Sequence, residues 1–150
     1  MKQSRGRRGR RVVVDTSVVI SGIAAFKCPF VAGRTDSGDL LFEWAEKGRF
    51  IWLVSTEILE EYKEVASRLK VRPSVAGRLI NLLKEEAEVV VVEGTSELSP
   101  DPGDNSFCAC AQEGRADFLV TLNPKDFPQE TLSAEVVSPS QFLSQIRSGR

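Results

Sequence analysis

The sequence predicts an α/β fold: a three-layer α/β/α sandwich around a central, mostly parallel sheet of four to five strands. Two observations carry this. Apolar runs rich in β-branched and aromatic residues recur along the chain without polar alternation, as in strands buried on both faces. Between them lie stretches with apolar residues at helical spacing, closed by Gly or Pro. The 150 residues suit one domain, with 41% hydrophobic and 27% charged residues, ordinary values for a globular protein.

The first run is Val12-Val13-Val14, and it stops at Asp15, Thr16 and Ser17. Val18 to Ile23 reads as the first turns of a buried helix. Residues 27–37 read as a loop broken by Pro29 and Gly33. Asp36 or Ser37 can cap a helix near 38–47, with Leu40, Leu41, Trp44 and Ala45 as its apolar stripe and Gly48 ending it. Phe50 to Val54 is the second strand. Ser55 caps a helix over about 56–69, where Ile58, Leu59, Tyr62, Val65, Ala66 and Leu69 keep helical spacing. Pro73 and Ser74 open a helix over about 74–87. Val89 to Val92 is the third strand, and Glu97 to Gly103 a loop. Asp104 caps a helix over about 105–113 that Gly114 ends. Phe118 to Thr121 is the fourth strand, Asn123 to Phe127 and Pro128 a turn, Val136-Val137 a short last strand, and Ser138-Pro139 the start of a terminal helix.

Composition excludes several chemistries. The chain has no His, so Ser–His and Cys–His nucleophile pairs, His zinc sites and a His general base are ruled out. Any catalysis must come from carboxylates, hydroxyls, amines or a hard cation held by oxygen ligands. Three Cys, an odd number, argue against a disulfide framework. Cys108 and Cys110 read as reduced structural thiols in a helix rather than metal ligands. No apolar run approaches the roughly 20 residues of a membrane span, and Asp15 interrupts the only stretch that could resemble a leader. The expected location is the cytoplasm.

The net charge of −1 conceals an asymmetry. Residues 1–11 carry +6 from Lys2, Arg5, Arg7, Arg8, Arg10 and Arg11, which leaves −7 on residues 12–150. Residues 1–10 are therefore expected to be a disordered basic arm ahead of a domain over 11–150. Such an arm reads as a nucleic-acid contact, with Arg5, Arg7, Arg8, Arg10 and Arg11 meeting phosphates. The alternatives are a solvated tail or a misplaced start codon.

Carboxylates recur near the carboxyl ends of the predicted strands, where open α/β sheets place their ligand sites. Asp15 follows the first strand. Glu60 and Glu61 lie on the helix after the second, Asp101 and Asp104 around the start of the helix after the third, and Asn123 and Asp126 after the fourth. Brought together without a cation they would repel one another, and a divalent metal removes that cost. Each also has a plain structural reading, as a helix cap or a solvated face. Of the adjacent Glu60 and Glu61 only one can face inward, and helical geometry alone leaves that choice open.

In this order the pieces Val12 to Gly22, Ser55 to Tyr62, Asp101-Pro102-Gly103-Asp104-Asn105 with Ala109 and Ala111, and Ala116 to Phe127 resemble the PIN-domain family. Its members are small Mg²⁺/Mn²⁺-dependent ribonucleases that include VapC-like toxins of toxin–antitoxin pairs. The resemblance spans about residues 11–143. It implies Asp15, Glu61 and Asp104 as metal-binding acids. The family's fourth acidic position falls on Asn123, a departure that removes a charge and leaves Asp126, three residues on, to compensate. Ser17 and Thr121 resemble the family's orienting hydroxyls. Asp101 and Asp117 are expected nearby in supporting or structural roles. The implied activity is endoribonucleolytic hydrolysis of RNA, with an antitoxin and a second copy of the chain as protein partners. A catalytically weak nucleic-acid-binding module is the alternative that Asn123 favours.

Overall fold

In the computed structural model, residues 9–25, 35–92 and 102–148 are described. Strand β1 (Arg11–Val14) leads into helix α1 (Thr16–Gly22) and a 3-10 turn at Ile23–Ala25. Helix α2 (Asp36–Ala45), strand β2 (Ile51–Val54), helices α3 (Thr56–Arg68) and α4 (Pro73–Glu86) and strand β3 (Glu88–Val89) follow. The rest is α5 (Pro102–Glu113), β4 (Phe118–Val120), 3-10 turns at Pro124–Asp126 and Gln129–Thr131, β5 (Glu135–Val137) and α6 (Pro139–Ser148).

Among the described residues the five strands form one parallel sheet in the order β3-β2-β1-β4-β5. Helices complete the predicted three-layer sandwich; α5 packs against β1, β2 and β4, and α2 packs beside α1 and α6. β1, the central strand, is enclosed on both faces: Val12, Val13 and Val14 have no exposed surface. Trp52 of β2 anchors an aromatic group, meeting Trp44 edge to face at 4.8 Å and Tyr62 at 6.3 Å. Phe142 joins it from α6, 5.1 Å from Phe50 and 5.4 Å from Phe118.

Several local expectations hold. Ser55 Oγ accepts from the Ile58 amide at 3.2 Å and so caps α3. Pro73 and Pro139 each begin a helix. Cys108 and Cys110 are buried, and burial pushes the Cys110 thiol up to about 12, which keeps it protonated and unreactive at neutral pH.

Other boundaries differ. Thr35, not Asp36 or Ser37, caps α2, its Oγ1 accepting from the Gly38 amide at 2.9 Å. Asp36 then falls in the first turn, where its charge meets the positive end of the helix dipole. Asp104 is likewise no cap: α5 starts at Pro102, so Asp104 is its third residue. The third strand is much shorter than Val89 to Val92. β3 is an edge strand, and pairing with β2 ends once the Val90 amide reaches the Val54 carbonyl at 2.7 Å. Beyond that point Val91 is 74% exposed.

One close approach decides how α1 meets α2. A Cβ on Gly22 would lie 2.6 Å from the Ser37 carbonyl carbon and oxygen and 2.9 Å from the Gly38 nitrogen, all backbone atoms. Helix propensity alone says that Ala at this position stabilises by up to about 1 kcal/mol. The contact reverses the sign: Gly22→Ala is expected to destabilise by about 1–3 kcal/mol, because two backbones must separate. Urea unfolding should show a lower midpoint at unchanged slope, and a raised midpoint would disprove the close packing.

Candidate active site

The sheet order fixes where a site can form. From β1 the chain builds β2 and β3 to one side and β4 and β5 to the other, so the switch point lies between β1 and β4. Asp15 leaves β1 at that point, its amide bonded to the Val120 carbonyl at 2.9 Å.

Asp15 occupies the N-cap position of α1 with extended backbone, yet its side chain makes no capping bond. Its Oδ2 instead accepts two hydroxyl donors, Ser17 Oγ at 2.6 Å and Thr121 Oγ1 at 2.9 Å. Each hydroxyl is itself fixed: Ser17 Oγ accepts from the Leu122 amide at 3.2 Å, and Thr121 Oγ1 from the Asn123 amide at 3.0 Å. Two hydrogen-bonded links therefore join the end of β1 to the segment leaving β4, and both end on one carboxylate oxygen. Thr121 is fully buried.

Helix α3 brings in the second carboxylate. Glu61 is half-buried, and the Thr16 hydroxyl donates to its Oε2 at 3.0 Å. Glu60 turns the other way, 68% exposed, and pairs with Lys63 at 3.5 Å. The next residue, Tyr62, is buried. Its hydroxyl donates to the Val14 carbonyl and accepts from Trp52 Nε1 at 3.3 Å. Burial raises the Tyr62 phenol well above its ordinary range, so it stays a donor at neutral pH. Thr16 and Tyr62 were not singled out in the sequence as polar parts of this site. The spacing of α3 marks Tyr62 as a core residue and offers no signal for its bond to β1.

The remaining candidates lie apart. Asn123 and Asp126 are exposed on the 3-10 turn after β4, and neither side chain hydrogen-bonds Asp15; the Asp126 amide donates to the Asn123 carbonyl at 2.9 Å. Asp104 is placed in the first turn of α5, but its side chain is outside the described residues, as are Asp101, Arg5, Arg7 and Arg8. Asp117, expected near the site, sits instead at the amino end of β4, where its Oδ2 accepts from the Arg11 amide at 2.9 Å. That is the opposite edge of the sheet from Asp15. The Arg11 guanidinium is engaged there too, bonded to both Glu88 carboxylate oxygens at 3.0 and 2.8 Å and to the Gly114 carbonyl at 2.9 Å. Among the described residues no three His, Cys, Asp or Glu side chains gather closely enough to hold a metal ion. None of the helices among them is long and apolar enough to cross a membrane.

A five-stranded parallel sheet with a carboxylate held by hydroxyls at its switch point is an α/β architecture that carries its candidate site at the carboxyl edge of the sheet. The PIN domain pattern matches residues 11–125, and the chain belongs to that family. PIN-domain nucleases act on nucleic acid and generally use divalent metals. The fold is similar to the crystal structure of PAE2754 from Pyrobaculum aerophilum, with a TM-score of 0.60, 13% identity and 99% of each chain covered. No curated protein matches the sequence.

Proposed function

We propose that this protein is a Mg²⁺- or Mn²⁺-dependent endoribonuclease, the toxin of a type II toxin–antitoxin pair. One observation carries the catalytic reading: Asp15 stands where a helix cap belongs, but its carboxylate is turned to the sheet edge and held there by Ser17 and Thr121. An Asp at this position ordinarily gives its carboxylate to the first amides of the helix.

The donor set fits a hard cation. Among the described residues the side chains bonded together at this edge, Asp15, Thr16, Ser17, Glu61 and Thr121, all offer oxygen, and Mg²⁺ is commonly held by one or two carboxylates, with waters and substrate phosphate completing its shell. Asp15 and Glu61 would hold the ion, with Asp104 as a third carboxylate from α5. Once bound, the ion supplies Lewis-acid stabilisation of the phosphodiester and a more acidic water. The chain's own part is orientation. Ser17 and Thr121 fix the Asp15 carboxylate, and Thr16 fixes that of Glu61. The exposed Asn123 and Asp126 lie on the turn beside Thr121. Asn123 can ligate through its carbonyl oxygen without adding charge, and Asp126 restores a negative charge to that side.

The toxin assignment rests on family resemblance, which also brings a cognate antitoxin, a homodimer and a cytoplasmic setting. The test is cleavage of RNA with Mg²⁺, with Mn²⁺ and with EDTA, followed, where a small antitoxin-like reading frame adjoins the gene, by addition of its product. Cleavage should require the ion and stop on addition of the antitoxin; undiminished cleavage in EDTA would end the proposal. The alternative, an RNA-binding module with little catalysis, is favoured by the neutral Asn123 and predicts binding without cleavage under every metal condition.

The basic arm contributes binding rather than chemistry. The Arg10 carbonyl accepts from the Ile51 amide at 2.8 Å and Arg11 is held by Glu88, so a clean truncation ends at residue 8 rather than 10. Removing residues 1–8 takes away Lys2, Arg5, Arg7 and Arg8. Each phosphate contact to single-stranded RNA contributes about 0.7 to the slope of log K against log salt, so three lost contacts should flatten it by about 2. Cleavage at saturating RNA should barely change. Titrations of both proteins at several salt concentrations decide this, and identical slopes would make the arm a bystander.

A further inference from the structure

Two hydrogen bonds tie helix α3 to the end of β1, and they flank the two carboxylates. On the helix the participants are the neighbours Glu61 and Tyr62. On the strand side they are Thr16 and Val14, the residues immediately after and before Asp15. The Tyr62 hydroxyl holds the Val14 carbonyl, and Tyr62 is itself held by Trp52, so the backbone distance between helix and strand is set inside the core. The bond from Thr16 Oγ1 to Glu61 Oε2 then sets the side chain.

Thr16 is poorly explained as a structural residue. It is 7% exposed at the first position of α1, and its hydroxyl reaches across to α3. A buried hydroxyl costs free energy unless it is paired, and this one is paired with the carboxylate of Glu61. Its β-branched side chain has few rotamers, so the direction of the hydroxyl follows from the backbone beside Asp15.

We propose that Thr16 is the positioning residue of the cation site: its hydroxyl holds the Glu61 carboxylate at a fixed place relative to Asp15, so that both reach one ion. This rests on the metal-dependent reading above and extends it to a residue outside the expected ligand set. Groups that orient metal ligands typically change affinity ten- to a hundredfold when removed.

The experiment is calorimetric titration of the full chain with Mn²⁺, comparing wild type, Thr16→Val, Thr16→Ser and Asp15→Asn, alongside cleavage rate as a function of Mn²⁺. Thr16→Val keeps the shape and removes the hydroxyl. It should weaken Mn²⁺ binding about ten- to a hundredfold, with a smaller loss of rate at saturating Mn²⁺. Thr16→Ser, which keeps the hydroxyl, should restore affinity. A merely structural role would lower the urea midpoint of Thr16→Val and leave its Mn²⁺ affinity unchanged. Wild-type affinity in Thr16→Val, with binding lost in Asp15→Asn, overturns the positioning role alone. No Mn²⁺ binding by the wild type, or equal binding by Asp15→Asn, overturns the metal reading and this proposal with it.

Discussion

Asp15→Asn is expected to abolish RNA cleavage while leaving the fold intact. The substitution keeps shape and hydrogen bonding. An Asn side-chain oxygen can still accept from Ser17 Oγ and Thr121 Oγ1, which now donate to Asp15 Oδ2 at 2.6 and 2.9 Å, and hydroxyl protons can rotate to suit the amide. What disappears is the negative charge at the switch point between β1 and β4. Without it the cation loses its central ligand, and the loss of rate should reach at least a hundred- to a thousandfold, about the scale of removing one preorganised electrostatic contact in an active site. In the absence of metal the variant should be as stable as the wild type or more so, because Asp15 no longer repels Glu61. Cleavage with Mn²⁺ and thermal unfolding in EDTA, measured on both proteins, check the two halves together. Retained cleavage would show that Asp15 is not the centre of the chemistry. Loss of both cleavage and stability would show that its links to Ser17 and Thr121 hold the fold.

The contrast between Asp15 and Asp104 shows what local sequence can convey. Val12-Val13-Val14 predicts a buried strand because three adjacent apolar residues satisfy both faces of a sheet, and β1 is that strand. Ser55, Pro73 and Pro139 mark helix starts because their effects are confined to one turn. Asp15 is harder. Its position matches a helix cap, but its carboxylate is held instead by Ser17, two residues on, and by Thr121, 106 residues away on the segment after β4. The length of β3 was equally hidden. Four consecutive Val read as a buried strand, but β3 lies at the sheet edge and β2 ends at Val54, so Val91 has no strand to pair with. Thr16 and Tyr62 were missed for the same reason. Their partners are 45 and 48 residues distant, and no local pattern gives a helix face its partner strand. Asp104 shows the smaller error of a boundary: the helix begins at Pro102, three residues earlier than expected, which moves Asp104 from the cap into the first turn.

The adjacent glutamates of α3 provide the sharpest separation of surface from site. Glu60 is 68% exposed and pairs with Lys63 at 3.5 Å, three residues along the same helix. Such an exposed pair typically contributes well under about 1 kcal/mol, so Glu60→Gln should change neither stability nor cleavage appreciably. Glu61 is half-buried and receives the Thr16 hydroxyl. In Glu61→Gln the side-chain oxygen can still accept that bond, so the geometry persists and the charge alone is lost. Cleavage should fall at least about a hundredfold. Because the two positions differ by one residue on one helix, a general effect of altering α3 would move both variants alike, whereas a cation held at the sheet edge moves only Glu61→Gln. Rates for both variants across a range of Mn²⁺ concentrations test the point, since part of the Glu61→Gln deficit should be recovered at high Mn²⁺. The reverse ranking would mean that α3 turns its Glu60 face to the site.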